Sequence, residues 1–271
     1  TSKTRVASEP NHWITWSPQM KHEAIKYHYV DPVKIEITGT PQFDFFFQEH
    51  KFPSRAAFMK RIGVNPKKKL IVYSPGTSWT FSDDANLRKI HKVINDKNFP
   101  FDCHLHIRKY PKSNAEYSKI EKELGLTVED AGSVVPKWAD RFDQSPEELI
   151  HLRELMHFSD VVIQVSSSIA VDAACEDTPC IAFHLDKYDK NVPWAHRAKR
   201  CYSVEHNMQL IESKGMRVVE TQESLKDWLI QYLTHPETDK EGRQSIVTNI
   251  LWKPDGLAGN RLAKIVMDWL P

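Results

Sequence analysis

Three consecutive hydroxyl side chains follow a short apolar run near the middle of the chain. Residues 160–165 are mostly β-branched, which predicts a strand buried on both faces of a parallel sheet. Ser166, Ser167 and Ser168 come next, followed by small and apolar residues at 169–175 that predict a helix. The hydroxyls therefore stand at a helix N-terminus, where unpaired N–H groups and a partial positive charge favour an anion.

Two interpretations of this stretch are open. In the first, the serines bind a phosphate at the carboxyl end of the strand, the usual ligand position in open α/β sheets. Asp172, one turn into the predicted helix, can then accept hydrogen bonds from ribose hydroxyls. In the second, the serines only cap the helix and Asp172 only favours its first turn electrostatically.

Other polar groups also follow predicted strands. The Gly76, Thr77 and Ser78 loop comes after an apolar run at 70–73 and can line a phosphate or sugar site. Arg108 ends the next predicted strand, where its guanidinium can hold phosphate oxygens or form a surface ion pair. Trp138 follows a predicted short strand at 132–136, where its indole can stack on a base or simply pack.

The composition excludes several classes of protein. With 37 basic and 36 acidic residues among 271, the chain carries no global charge that favours nucleic acid. The four cysteines lack CxxC spacing and predict reduced thiols in a cytoplasmic protein, with neither disulfides nor a metal site. Because no apolar run approaches the roughly 18 residues that span a bilayer, no transmembrane segment is expected.

Strands and helices alternate from residue 70 to residue 219. This alternation predicts an α/β fold with a Rossmann-like doubly wound parallel sheet, assigned to residues 48–271. Residues 1–47 hold one further strand-helix-strand pattern and an aromatic run at 43–47. One such unit is too small for a sheet of its own, so residues 1–47 are expected to be the last unit of an N-terminal domain plus a linker.

The motifs, taken in order, resemble the second half of GT-B fold enzymes. They are the segment 37–44 (ITGTPQFD), the serine-headed helix with Asp172, the segment 177–181 (DTPCI), and Asp255-Gly256-x-Ala258. The chain is most similar to capsule or wall-polysaccharide glycosyltransferases and to CDP-glycerol glycerophosphotransferases. The hydrolysing UDP-GlcNAc 2-epimerases are more distant relatives.

The resemblance implies a function for these residues. In the GT-B fold two Rossmann-like domains face a cleft, and the C-terminal one holds the donor nucleotide diphosphate. By analogy, Ser166 to Ser168 meet the diphosphate, Asp172 binds ribose, and the Gly76 to Ser78 loop faces the cleft. The Arg108 position is often followed by His-Pro in the family, but Tyr110-Pro111 stands here, which leaves a phosphate contact by Arg108 without an acid or base beside it.

The function that this resemblance implies is the donor-binding half of a metal-independent glycosyltransferase. Its substrates would be a nucleotide-diphosphate sugar and a polysaccharide or lipid-linked acceptor, with no further cofactor. The catalytic residues stay unassigned, and the chain is not expected to catalyse transfer without the rest of an N-terminal domain.

Three alternatives stay open. The first is a transferase that uses CDP-glycerol as its donor. The second is a non-catalytic assembly module whose serine-headed helix is merely capped. The third is a 2-epimerase that would need acid/base residues such as His104, His106, His184 and His206, although single histidines near strand ends are more often structural.

Overall fold

The computed structural model of the protein describes residues 10–76, 83–110, 116–133, 143–165, 167–183, 198–203 and 205–269. Thr77, Ser78, Trp138, Ser166 and His184, which the sequence analysis singles out, lie outside these ranges. The chain forms two compact units, one of Thr1–His50 with Ser245–Pro271 and one of Lys51–Gln244.

The described strands and helices are as follows. The strands are β1 (Trp13–Thr15), β2 (Ile35–Ile37), β3 (Lys69–Ser74), β4 (Cys103–Arg108), β5 (Thr127–Glu129), β6 (Val161–Gln164), β7 (Cys180–Phe183) and β8 (Met216–Val219). The helices are α1 (Pro18–His28), α2 (Arg55–Arg61), α3 (Asp83–Ile94), α4 (Ser118–Leu124), α5 (Pro146–Phe158), α6 (Ile169–Cys175), α7 (Glu205–Glu212), α8 (Gln222–Thr234), α9 (Lys240–Leu251) and α10 (Ala258–Trp269). Short 3-10 helices lie at Pro32–Lys34, Pro41–Phe46 and Ala198–Ser203.

The smaller unit is built on the predicted strand-helix-strand pattern. Strands β1 and β2 pair in parallel, with Trp13 opposite Ile35. Ser17 caps α1 by accepting a hydrogen bond from the Met20 amide, and a proline occupies the first helical turn. The aromatic run forms the 3-10 helix at Pro41–Phe46 because Phe43 and Phe46 bury their rings there.

The larger unit holds a six-stranded parallel sheet in the order β5-β4-β3-β6-β7-β8. The chain adds strands outward from β3 on one side and outward from β6 on the other. The order therefore reverses between two hydrogen-bonded neighbours, which confirms the predicted doubly wound fold.

The two faces of this sheet differ in polarity. Alternate strand residues join one apolar core with α3, α4 and α8, for example Ile71, Leu105 and Ile163. On the opposite face, β4 and β5 present His104, His106, Arg108, Thr127 and Glu129. Helix α5 supplies the polar partners of this second group, so its histidines and charges are enclosed within the unit.

Two parts of the sequence prediction can be compared with the fold only in part. The predicted strand at 132–136 lies outside the described residues from 134 onward, and its described residue Ser133 forms one bridge with Asp143. The described strand beside β4 on this side of the sheet is Thr127–Glu129. The last residues, 245–271, are grouped with the first fifty, whereas the sequence analysis assigned them to the Rossmann-like domain. The division into domains 1–47 and 48–271 stays a prediction.

Candidate functional site

The carboxyl ends of β3 and β6 mark the point where the strand order reverses. Ser74, the last residue of β3, pairs with Gln164, the last residue of β6. The loop after β3 leads to α3 on the apolar-core face, whereas the loop after β6 leads to α6, which packs against α5. Because the two loops diverge to opposite faces, they leave between them the place where open α/β sheets bind ligands.

The serine loop after β6 is held by its own side chains. The Ser167 amide donates to Gln164 Oε1 at 2.5 Å, and the Ile169 amide donates to Ser167 Oγ at 3.3 Å. The Val171 amide donates to the Ser168 carbonyl at 2.8 Å. These three N–H groups already have acceptors within the chain, and the expected diphosphate contact at the start of α6 stays a prediction.

The remaining polar group of the serine loop is Ser168. It is the N-cap residue of α6, is exposed, and its side chain makes no capping hydrogen bond. Since α6 has seven residues, its dipole adds little by itself to any anion site. Ser167 thus fixes the turn before the helix, whereas Ser168 holds the N-cap position without a capping hydrogen bond, and both sequence interpretations stay open.

Gln164 is a site residue that sequence reasoning missed. Its side chain is 1% exposed, and its Nε2 donates to Met216 Sδ at 3.0 Å. The only signal in the sequence is that Gln164 interrupts an otherwise apolar strand. A buried amide at a strand end must satisfy its polar atoms locally, and here it does so by fixing the Ser167 turn.

Asp172 lies in the first turn of α6 as predicted. Burial raises the pKa of Asp172 to about 7, and the positive charge of Arg108 opposes this rise. Burial thus disfavours the ionised form of this carboxylate, and the charge of Arg108 favours it. A group in this state can accept hydrogen bonds from hydroxyls and responds to small changes in its surroundings.

Arg108 is enclosed, not presented to a ligand. Its side chain is 4% exposed, its Nη1 lies 2.7 Å from Glu129 Oε1, and its Nη2 lies 2.5 Å from Glu148 Oε1. The guanidinium thus contacts two carboxylates within the fold, and the phosphate contact expected from the sequence stays a prediction. The remaining electrostatic effect of Arg108 at the site is its influence on Asp172.

Histidines complete the polar face beneath α5. His106 Nε2 and His151 Nε2 lie 3.0 Å and 2.8 Å from Glu129 Oε2. Burial raises the pKa of Glu129, but hydrogen bonds from these histidines and the charge of Arg108 outweigh it and hold the pKa well below its usual range. His104 shares the Thr127 hydroxyl with His106, so both histidines have partners inside the fold, as the structural interpretation of single histidines predicts.

A second polar cluster lies at the other loop, on the apolar-core face. The buried Asp83 carboxylate accepts hydrogen bonds from Tyr73 Oη at 2.9 Å, from Tyr117 Oη at 3.3 Å and from the Gly76 amide. Asn86 Nδ2 donates to Tyr73 Oη at 3.2 Å. Nothing in the sequence distinguishes this acid from a helix cap, because aspartate is common at the start of a helix.

The motifs at the two ends of the chain meet in the smaller unit. Asp44 accepts hydrogen bonds from the Ala258 and Gly259 amides at 3.0 Å and 2.7 Å, at the start of α10. Arg261 donates through Nε to the Thr38 carbonyl at 2.6 Å and through Nη1 to Asp255. The segments 37–44 and 255–261 are thus held together by these hydrogen bonds. This contact gives a structural reason for the two sequence motifs.

The described residues contain neither a membrane-spanning helix nor a group of metal ligands. No helix in the described ranges is both long enough and apolar enough to cross a membrane. Within the same ranges, no three His, Cys, Asp or Glu side chains are grouped so that they could hold a metal ion.

Solved structures with the same fold include a wall teichoic acid polymerase and UDP-GlcNAc 2-epimerases. The wall teichoic acid polymerase TagF matches with a TM-score of 0.56 and 18% identity, over 95% of this chain and 57% of TagF. A TagF variant soaked with CDPG matches equally well, at 16% identity with the same coverage. The UDP-GlcNAc 2-epimerase from Methanocaldococcus jannaschii gives a TM-score of 0.58 and 13% identity, over 95% of this chain and 62% of the epimerase. These identities show the fold alone, and the chain spans less than two thirds of each relative.

Comparison with protein families goes further than the fold. No curated protein matches the sequence. The family model described as CDP-Glycerol:Poly(glycerophosphate) glycerophosphotransferase matches residues 1–268, which is nearly the whole chain and includes both units. Among the alternatives drawn from the sequence, this family is the one that uses CDP-glycerol. The chain belongs to the CDP-glycerol:poly(glycerophosphate) glycerophosphotransferase family.

Proposed function

We propose that this chain is the donor-binding part of a transferase that moves glycerophosphate from CDP-glycerol to a poly(glycerophosphate) acceptor. The family match over residues 1–268 supports the donor and acceptor, and the TagF structures include one soaked with CDPG. The nucleotide-sugar donor first inferred from the sequence becomes the second choice, because the family model names a different donor.

The donor would bind at the carboxyl edge of the sheet between β3 and β6. The serine loop would meet the diphosphate chiefly through Ser168, whose hydroxyl is exposed, together with Ser166. The Gly76, Thr77 and Ser78 loop would approach it from β3. Asp172 would accept hydrogen bonds from ribose, and Trp138 would stack on the base.

Arg108 has a different role in this proposal from the one expected. Because Glu129 and Glu148 take its guanidinium, Arg108 would not touch the diphosphate. Its positive charge would instead keep part of Asp172 ionised against the effect of burial. Arg108 is thus a positioning and electrostatic residue for the ribose contact.

The reaction is a displacement at phosphorus. An acceptor hydroxyl oxygen attacks the β-phosphorus of CDP-glycerol, a new P–O bond forms, and the bond to the bridging oxygen breaks to release CMP. The hydroxyl proton passes to a base. We place this base in the region of the longer relatives that this chain does not match. The task of the donor site is to hold the diphosphate and to favour the charge that develops on the leaving CMP.

The observation that carries the proposal is the reversal of strand order between β3 and β6 in a chain of this family. Calorimetric titration of the full chain with CDP-glycerol, CMP, UDP-GlcNAc and GDP-mannose tests it. We expect CDP-glycerol to bind at least tenfold more tightly than the two sugar nucleotides. A preference for UDP-GlcNAc would return the chain to the nucleotide-sugar class, and well-folded protein that binds none of the four would support the non-catalytic assembly module.

A further inference from the structure

The carboxylate of Asp83 joins three separate parts of the larger unit. Tyr73 is the second-to-last residue of β3, Gly76 lies in the loop that follows the strand, and Tyr117 precedes α4. All three donate hydrogen bonds to the one carboxylate, Tyr73 to Oδ1 and Tyr117 to Oδ2. Asp83 therefore ties the β3–α3 loop to the segment that enters α4.

This arrangement differs from an ordinary helix cap. A capping aspartate accepts from the amides of its own first turn and stays in water, whereas the partners of Asp83 lie outside α3 and its side chain is in the protein interior. The residue is 8% exposed, and Asn86 beneath it is completely buried with its Oδ1 unpaired. Asp84, the next residue, differs from Asp83 in both respects. Its side chain is exposed and forms an ion pair with Arg88 on the same helix.

The Asp83 carboxylate is surrounded by neutral hydrogen-bond donors in the protein interior. The titratable groups that face Asp83 are the phenols of Tyr73 from β3 and Tyr117 from the α4 side, and the groups that act on its pKa in the described residues are neutral donors. Burial raises the pKa of Asp83 to about 6, although the hydrogen bonds from Tyr73, Gly76 and Tyr117 lower it. A buried carboxylate without a cation is costly, and such groups concentrate at functional sites.

We propose that Asp83 is a positioning residue for the donor: its carboxylate holds the loop at Gly76 against Tyr73 and Tyr117, in the arrangement that binds CDP-glycerol. The proposal rests on the proposed function and deepens it. Gly76 lies two residues after the end of β3, next to the reversal point, so a shift of its backbone changes the edge at which the diphosphate would lie. Protonation of Asp83 converts one acceptor oxygen into a donor and loosens this attachment.

The test compares Asp83→Asn with Asp84→Asn in the full chain. Hydrogen exchange of the Gly76 amide, measured by NMR, reports the attachment, and calorimetry with CDP-glycerol reports the donor site. We expect Asp83→Asn to raise Gly76 exchange about tenfold and to weaken CDP-glycerol about tenfold, with Asp84→Asn unchanged in both. As pH falls from 7 to 5.5, the affinity of wild type for CDP-glycerol should move toward that of Asp83→Asn. The exchange rate of its Gly76 amide, taken relative to the intrinsic rate at each pH, should do the same. CDP-glycerol suits this test because each of its phosphates has one ester bond and one anhydride bond and so does not ionise near pH 6, whereas a terminal phosphate would itself titrate there.

Any other result contradicts the attachment at Gly76, its role in donor binding, or the proposed function. Unchanged Gly76 exchange in Asp83→Asn overturns the attachment, and faster exchange with unchanged affinity overturns its role in donor binding. Wild type that does not bind CDP-glycerol overturns the proposed function, and the attachment is then decided by exchange alone. If Asp83→Asn does not fold, Tyr117→Phe removes one donor and leaves the carboxylate, and about threefold effects in both measurements are expected.

Discussion

At the scale of single residues, the charge state of Asp172 links the polar face of the sheet to the ribose contact. Burial raises the pKa of Asp172 to about 7 and Arg108 limits the rise, so acidification below neutral pH removes the acceptor. We expect the affinity for CDP-glycerol to increase as pH rises through about 7, and Asp172→Asn to abolish the part of this increase that lies above pH 7, where Asp83 is already ionised. We expect the same substitution to weaken binding about tenfold at pH 8. Calorimetry between pH 6 and pH 8.5 measures both.

The ligand itself supplies a control for this prediction. An analogue of CDP-glycerol without the ribose 2′ and 3′ hydroxyls lacks the groups that Asp172 is proposed to contact. Wild type and Asp172→Asn should bind this analogue with equal affinity. A tenfold difference for the analogue would show that the substitution acts through the fold and not through ribose.

Gln164 is tested through the turn that it holds. Gln164→Met keeps the length of the side chain but removes the acceptor of the Ser167 amide, so the serine turn should loosen and CDP-glycerol should bind about tenfold more weakly. Gln231→Met is the matched control, because Gln231, which lies on α8, also donates one side-chain hydrogen bond, to Thr238 Oγ1 at 3.0 Å. Both variants should lower the melting temperature, but a loss of affinity in Gln231→Met as well would contradict the specific role of Gln164.

His104 gives the fold a predictable sensitivity to acid. Burial and the neighbouring His106 lower the pKa of His104 from 6.5 to about 4. Between these two values the unfolded chain binds a proton that the folded chain does not, so stability falls as pH decreases through this window. His104→Gln can keep a hydrogen bond to Thr127 and should lose less melting temperature between pH 7 and pH 5 than wild type.

The comparison for this prediction is an exposed histidine. His22 lies on the exposed side of α1, and His22→Gln should keep the acid sensitivity of wild type. Differential scanning fluorimetry at matched ionic strength is sufficient. Equal acid losses in wild type and His104→Gln would remove His104 as the source.

At the scale of elements, two glycines set how closely α9 approaches β8. A Cβ atom at Gly242 would lie 2.4 Å from the Gly215 amide nitrogen, and one at Gly215 would lie 2.6 Å from the Arg243 nitrogen. Because backbone must move to admit either atom, Gly242→Ala should cost about 2–3 kcal/mol of unfolding free energy in urea titrations. Gly125→Ala is the control, since its φ is +63° but nothing lies within 4 Å, and it should cost about 1 kcal/mol. Equal costs would mean that the crossing is not tight.

These contacts also show which elements the sequence can predict. The strand-helix-strand unit from β6 to β7 follows from apolar runs and breakers, and the structure has it at residues 161–183. Strand β5 was missed because Thr127–Glu129 is short and half polar, and its place is fixed by partners such as Arg108 on β4. Helix α9 was left unassigned because its sequence contains Gly242 and β-branched residues, and the buried Arg243 anchors it to Asp177 and to two carbonyls.

The candidate site was predictable in position but not in detail. Strand ends and the reversal of order follow from the pattern, so Asp172 and the serine loop could be named. What the amides and Arg108 bond to depends on Gln164, Glu129 and Glu148, which come from three separate elements. Periodicity contains no information on such long-range polar partners.

At the scale of the whole molecule, the two ends of the chain are joined by one carboxylate. Asp44 accepts from amides 214 and 215 residues away and so caps α10 from outside that helix. Asp44→Ala should release the first turn of α10 and cost about 1 kcal/mol or more. Hydrogen exchange should rise in α10 and in the segment 38–47, while β3 to β8, which form the separate larger unit, keep their protection.

Asp31→Ala is the matched variant for this last prediction. Asp31 also caps with its carboxylate, but it accepts from the Val33 amide only two residues away. Its removal should raise exchange near Pro32–Lys34 and leave α10 unchanged, because the hydrogen bond it makes is local. If Asp44→Ala raised hydrogen exchange only near residue 44, the Asp44 carboxylate would be dispensable for joining the two ends. Helix α10 would then be held to the segment 38–47 by its apolar contacts and by Arg261. Faster exchange throughout β3 to β8 would show instead that the two units unfold as one.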